Sequence, residues 1–191
     1  MNMRLIKQFI LLIFFLLMSS CSFYSLKGTI PAHIKNICIS PIINKSMDQE
    51  VVDFLDDKLN QLILDQNILE IVNYDNADSK LDITVIEVLD IPYTISQGDQ
   101  FEKVDEWKFL IKTNVVWSDF QKGEILFNIN VSEWGIYGDS IDISNDGIDN
   151  DGDGFIDSND SDEIGAPRDT AKLIAINKIA DKISTKIIST W

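Results

Sequence analysis

The sequence predicts an α+β fold, a twisted antiparallel sheet with two helices packed on one face, plus an acidic calcium-like loop inserted before the second helix. Three observations carry this expectation. Residues from Trp107 to Val131 alternate apolar and polar with a break near Lys122-Gly123, two segments repeat apolar residues at helical spacing, and residues 139–166 are dense in carboxylates. A strand with one dry and one wet side needs cover on a single face, and two amphipathic helices supply it.

The chain opens with material that is not expected to join the fold. Met1 to Ser20 has cations at Arg4 and Lys7, an apolar run from Phe9 to Met18, and small residues at Ser19 and Ser20, the three parts of an export signal. The run is about ten residues, half of the roughly twenty that a membrane-spanning helix needs. Met18-Ser19-Ser20-Cys21 resembles a lipobox, with Met18 where Leu is more usual. The expectation is a lipoprotein signal peptide over 1–20, covalent lipid on Cys21, and a single domain over 21–191. Two or three acyl chains hold a protein stably on a membrane, where one does not.

Cysteine and charge narrow the class further. Only Cys21 and Cys38 occur, so a thioether on Cys21 leaves Cys38 without a partner, and no structural disulfide is predicted. Without that lipid, a bridge between the two would be open to the chain in an oxidising compartment. Cys38 itself lies in the apolar run Ile37-Cys38-Ile39 and reads as a small buried hydrophobe. Removing residues 1–20 takes away two cations, moving the formal charge from −15 to −17 on a 171-residue chain. Such acidity argues against a nucleic-acid partner, whose phosphates are met by Lys and Arg, and against broad charge attraction to anionic lipids.

The elements follow in order. Ile34–Ile39 reads as a first strand. From Ser46 the period changes, with Val51, Leu55, Leu59 and Leu62 at helical spacing, Val52 and Ile63 widening the stripe, and Asp53, Asp56, Asp57 and Asn60 opposite. Ser46 and Gln49 suggest a capping box at its start. Ile68–Val72 returns to strand chemistry, and Leu81–Leu89 is a longer strand with Leu81, Ile83 and Val85 on one side of Asp82 and Thr84. In the hairpin, Trp107, Phe109, Ile111, Val115 and Trp117 alternate with Lys108, Lys112 and Asn114. Ile125, Phe127, Ile129 and Val131 alternate with Asn128, Asn130 and Ser132 on the return. The second helix is predicted over Pro167–Ile188. Ile176, Ile179, Ala180, Ile183 and Ile187 should be buried, and Lys172, Lys178, Lys182 and Lys186 should lie in water.

Within the insert, Asp149, Asp151, Asp153, Gly154 and Asp157 fall at positions 1, 3, 5, 6 and 9 of a calcium loop, and the Phe155 carbonyl would serve position 7. Calcium takes six to eight oxygens, and alternate residues point inward together only where a glycine permits the bend. Asp160 stands at position 12 in place of the usual Glu, and no helix flanks the loop closely, so the segment resembles the aspartate-rich loops of thrombospondin type 3 and dockerin modules. Bound Ca2+ is expected to order the insert and to contribute nothing catalytic.

Catalytic signatures are missing from the sequence. His33, the one histidine, sits near Pro31 and reads as a surface residue; there is no glycine-rich phosphate loop after a strand, no nucleophile elbow and no Cys/His metal cluster. The expectation is a protein that binds or assembles and is not an enzyme.

After the lipobox, Cys21-Ser-Phe-Tyr-Ser-Leu-Lys-Gly-Thr-Ile-Pro31 resembles the start of the LptE family of lipopolysaccharide-assembly lipoproteins, in its Bacteroidetes-like branch. Ile37–Ser40, the helical Phe54–Leu59, Leu69–Val72 and a terminal amphipathic helix ending in Trp191 follow in the family's order, leaving only the insert outside the resemblance. The resemblance implies an outer-membrane lipoprotein facing the periplasm that assembles with and plugs an LptD-type β-barrel, the pair delivering lipopolysaccharide to the cell surface. It places barrel contacts on the sheet's wet face and on connections such as Pro92–Lys103 with Tyr93 and Phe101. It also makes lipopolysaccharide a second candidate partner, for whose phosphates only scattered lysines such as Lys108 and Lys112 are at hand. The competing readings are a lipid-anchored, calcium-stabilised scaffold or adhesion module, and a generic periplasmic lipoprotein sharing only the helix-on-sheet layout.

Overall fold

The computed structural model describes residues 30–97, 102–138 and 167–189. Its elements are β1 (Asn36–Ile39), β2 (Ile43–Asn44), α1 (Gln49–Asp65), β3 (Glu70–Ile71), β4 (Ser79–Gln97), β5 (Glu102–Asp119), β6 (Glu124–Gly138) and α2 (Pro167–Ile188), with a short 3-10 turn at Tyr74–Asn76. The α+β class holds, with both helices on one face of the sheet.

The sheet is mixed, where the hairpin alternation alone predicts an antiparallel one. Strand order is β3-β1-β4-β5-β6, with β2 also paired to β4. The three long strands β4, β5 and β6 are antiparallel, but β1 runs parallel to both β3 and β4, and β2 runs parallel to β4. The cause is connectivity. The chain leaves β1, crosses through α1 and re-enters as β3, and a helical crossover between neighbouring strands makes them parallel.

Helix α1 buries Val51, Val52, Leu55, Leu59 and Ile63, as its spacing predicts. Its cap differs from the expected box: the Asp48 carboxylate accepts the Val51 N–H at 3.3 Å, while Ser46 Oγ takes the Asp48 N–H and donates to Asn44 Oδ1. Asp48 stands directly before the first helical residue, so its side chain reaches the first unpaired amides without the detour Ser46 would need. The helix ends where Asn67 takes a left-handed φ of +48°, a conformation that Asn tolerates.

Helix α2 buries Ala171, Ala175, Ile176, Ile179, Ala180, Ile183 and Ile187 against β5, β6 and α1. Lys172 departs from its expected place in water. It is buried, with its ammonium 2.5 Å from Glu50 and 3.3 Å from Asp169, because the α1–α2 contact closes over its stem. Gly135 on β6 lets the α2 backbone come in close, since a Cβ there would lie 2.1 Å from the Ala171 carbonyl oxygen.

Two further expectations change. His33 is half-buried, and its Nε2 meets the buried Asp119 carboxylate at 2.5 Å; the β5–β6 turn also points the Gln121 and Lys122 N–H groups at that carboxylate. A buried charge needs such partners, and the imidazole supplies one of them. Cys38 is only half-buried and is a free thiol among the described residues, because its side chain lies on the face of β1 opposite the fully buried Ile37.

Candidate functional site

Strand β4 passes through a bulge between Val85 and Glu87, and this irregularity creates the site. Before it, Leu81, Ile83 and Val85 face the helices and are buried. Beyond it Val88 pairs with Ile111 and Asp90 with Phe109, both partners being buried core residues, so the inward phase shifts from odd to even numbers. Asp90 thereby turns inward to the edge of the core. There it receives Arg168 through Nε and Nη2 at 2.9–3.2 Å and the Tyr137 hydroxyl at 2.8 Å, while the guanidinium lies 4.6 Å over the Phe109 ring. Burial, with the hydrogen bond to the Asp90 carboxylate, pushes the Tyr137 phenol up to about 12.

The same shift turns Leu89, Ile91 and Tyr93 onto the face that neither described helix covers. Register then places Leu89, Leu110 and Trp134 in one row and Ile91, Lys108 and Ile136 in the next. Ile91, Tyr93 and Trp134 are exposed, and Leu89, Leu110 and Ile136 are half-buried by one another. At the centre the Lys108 ammonium sits 4.1 Å from the Tyr93 ring centroid and 4.6 Å from that of Trp134. Toward the β5–β6 turn the face becomes polar: Lys112 is paired with Glu87 at 2.8 Å, and Asn114 Nδ2 donates to Asn128 and Asn130 at 2.9 Å each. The uncovered face thus has an apolar, aromatic half around one cation and a neutral amide half. Contiguous exposed apolar surface makes this face the candidate site.

The sequence signal for this patch is present but small. Leu110 breaks the polar phase of Lys108, Lys112 and Asn114, and Trp134 and Ile136 break that of Asn128, Asn130 and Ser132. Tyr93, Lys108 and Lys112, all singled out in the sequence, are gathered here. The connection expected over Pro92–Lys103 is instead largely strand, since β4 runs to Gln97 and β5 begins at Glu102, and two long apolar-lined strands extend their pairing as far as they can. Phe101 lies outside the described residues, as do Cys21 and the calcium-loop residues Asp149, Asp151, Asp153, Phe155, Asp157 and Asp160. Among the described residues there is no cluster of three or more metal-binding side chains, and no helix is long and apolar enough to cross a membrane.

A second concavity, a groove of about 920 Å³, opens between α1 and the ends of β1 and β3. Ile39, Val52 and Ile71 line it together with Asp53, Asp56 and Asp57. Burial, then the neighbouring Asp57 and Asp53 charges, raises the Asp56 carboxyl above its ordinary value.

No family model matches this chain, and no curated protein matches it in sequence. Solved structures do match in shape. A Xanthomonas campestris protein of the DUF330 family aligns over 85% of this chain and 91% of its own at 9% identity, with a TM-score of 0.50. A hypothetical protein from Chlamydia trachomatis aligns over 81% and 98% at 7% identity with a TM-score of 0.48, and a minor lipoprotein from Acinetobacter baumannii over 81% and 92% at 14% and 0.44. At these identities the likeness to the Xanthomonas protein is one of fold: a helix pair on one face of a mixed sheet.

Proposed function

We propose that this chain is a non-catalytic lipoprotein, held by acyl chains on Cys21 at the periplasmic side of the outer membrane, that assembles with and plugs an LptD-type β-barrel in lipopolysaccharide delivery. The observation that carries the reading is the uncovered sheet face. Leu89, Ile91, Tyr93, Leu110, Trp134 and Ile136 form an apolar surface that the two described helices, both on the opposite face, leave open. Coverage by a partner removes that surface from water at roughly 25 cal/mol per Å². The export signal, the lipobox-like Met18–Cys21 and the LptE-like order of motifs support the membrane and the kind of partner. Binding and steric positioning are then the whole mechanism, with no bond made or broken.

Affinity purification of the tagged, full-length protein from detergent-solubilised membranes tests this. Recovery of a large β-barrel with the tagged chain is expected, together with loss of lipopolysaccharide from the cell surface on depletion. Purification without any barrel refutes the reading.

A further inference from the structure

We propose that Lys108 is the recognition point of the uncovered face, and that its counterpart is a carboxylate set among apolar side chains on the wall of the partner protein. This rests on the reading above and names the chemistry of the contact.

In an acidic chain most well-placed cations have a carboxylate. Lys80 has Asp82, Lys112 has Glu87, Lys122 has Glu124, Arg168 has Asp90, Lys172 has Glu50 and Asp169, and Lys182 has Glu133. Lys108 is held instead between two aromatic faces, with no carboxylate in ion-pair reach among the described residues. The nearest acid on its own strand and face, Glu106, is occupied by the Thr94 hydroxyl at 2.8 Å. The two rings favour one position for the ammonium, so less side-chain freedom is left to lose when an anion arrives. Around it Leu89, Ile91, Leu110 and Ile136 would exclude water once covered, and a charge pair strengthens as the local dielectric falls. Trp and Tyr beside a cation are also the residue types that most often anchor interfaces.

The occupant is a protein wall and not a lipid surface. Anionic headgroups are gathered by clusters of unneutralised cations. Here Lys112 is neutralised by Glu87, Glu106 sits in the next position on the face, and the whole chain carries a formal charge of −15. One cation held between two rings on a sheet suits one carboxylate held on another folded surface.

The test uses the full-length, membrane-extracted protein and compares barrel recovery by the wild type, Lys108→Glu, Lys108→Arg and Trp134→Ala, with thermal midpoints confirming that each variant is folded. A photoreactive residue at Leu110 maps the contact. We expect Lys108→Glu to weaken barrel binding at least about 30-fold, as loss of an interface anchor does. Lys108→Arg should retain binding, Trp134→Ala should weaken it, and the crosslinked barrel peptide should contain Asp or Glu flanked by aliphatic residues. Recovery by Lys108→Glu equal to the wild type overturns this inference while leaving the proposed function standing. So does a crosslink to a peptide without an acidic residue, or a Lys108-dependent binding to phosphatidylglycerol vesicles with barrel recovery unchanged. Absence of any barrel from the wild-type preparation overturns both.

Discussion

Replacing Gly135 by Ala tests the placement of α2 on the sheet more sharply than any core truncation. The added Cβ would stand 2.1 Å from the Ala171 carbonyl oxygen, 2.6 Å from its Cα and 2.7 Å from its carbonyl carbon. All three are backbone atoms, so no side-chain rotation relieves the overlap. Real Cβ atoms keep at least 3.0 Å, so the α2 backbone must retreat by about 0.9 Å. That retreat loosens Ala175, Ile176 and Ile179, all fully or almost fully buried, and stretches the Lys178 contact to the Trp134 carbonyl. Forced overpacking of a tight contact costs about 3 kcal/mol at the upper part of its usual range. For a domain of this size that corresponds to a fall of roughly 6–12 °C in Tm. Gly123→Ala is the control: its φ of +64° strains an alanine, yet nothing lies within 4 Å of its Cβ. Its cost is about 1–2 kcal/mol from backbone conformation alone. Urea and thermal unfolding of the two variants decide the matter. A Gly135→Ala midpoint no lower than that of Gly123→Ala refutes the close approach, as does rescue by Ala171→Gly, because the clash is with backbone that this second change leaves in place.

Four further outcomes are expected. Burial alone would raise the Asp119 carboxyl, but hydrogen bonds from His33 and from the Lys122 and Gln121 amides hold it below its ordinary value. A depressed folded pKa gives stability present above the unfolded value near 3.9 and lost as pH falls through the folded one; urea midpoints from pH 6 to 2 should therefore fall less steeply in Asp119→Asn than in the wild type. The buried Lys172 ammonium is answered by exposed acids, so a Glu50→Ala/Asp169→Ala double variant strands it and should cost more than Lys172→Met, about 1–2 kcal/mol of difference by chemical denaturation; the reverse order would sink the assignment. Millimolar calcium should raise the thermal midpoint of the wild type and leave Asp151→Asn/Asp153→Asn unmoved, and no shift in the wild type refutes the proposed loop site. Finally, Cys21→Ser should release the protein from the membrane fraction, measured by fractionation and immunoblot, and continued attachment would refute lipidation there.

The strands and helices that alternate or repeat cleanly are legible in the sequence. The inward phases of β5 and of β6 from Phe127 onward and the stripes of both helices are local properties, set by 2.0 and 3.6 residues per repeat. Ile125, expected on the dry side, is exposed because a register shift opposite Trp117 and Ser118 breaks the alternation there. Legibility failed where a partner distant in sequence decided the outcome. His33 looked like a surface residue until Asp119, 86 positions away, needed a donor. Lys172 looked solvated until Glu50, 122 positions away, came to meet it. β1, β2 and β3 are four, two and two residues long, and nothing so short declares whether its neighbour runs parallel.

The functional surface divides along the same line. Tyr93, Lys108 and Lys112 could be nominated from the sequence, and so could the rule-breaking Leu110, Trp134 and Ile136 within their polar phases. Their meeting could not, because it depends on a one-residue bulge after Val85 that turns Leu89, Ile91 and Tyr93 outward. Composition and periodicity determined by themselves a strongly acidic character and a sheet with one dry side. Tertiary structure alone decided which side chains share the open face, since strand register and bulge position are set by contacts between segments, while the sequence pattern of each segment records only its own two sides.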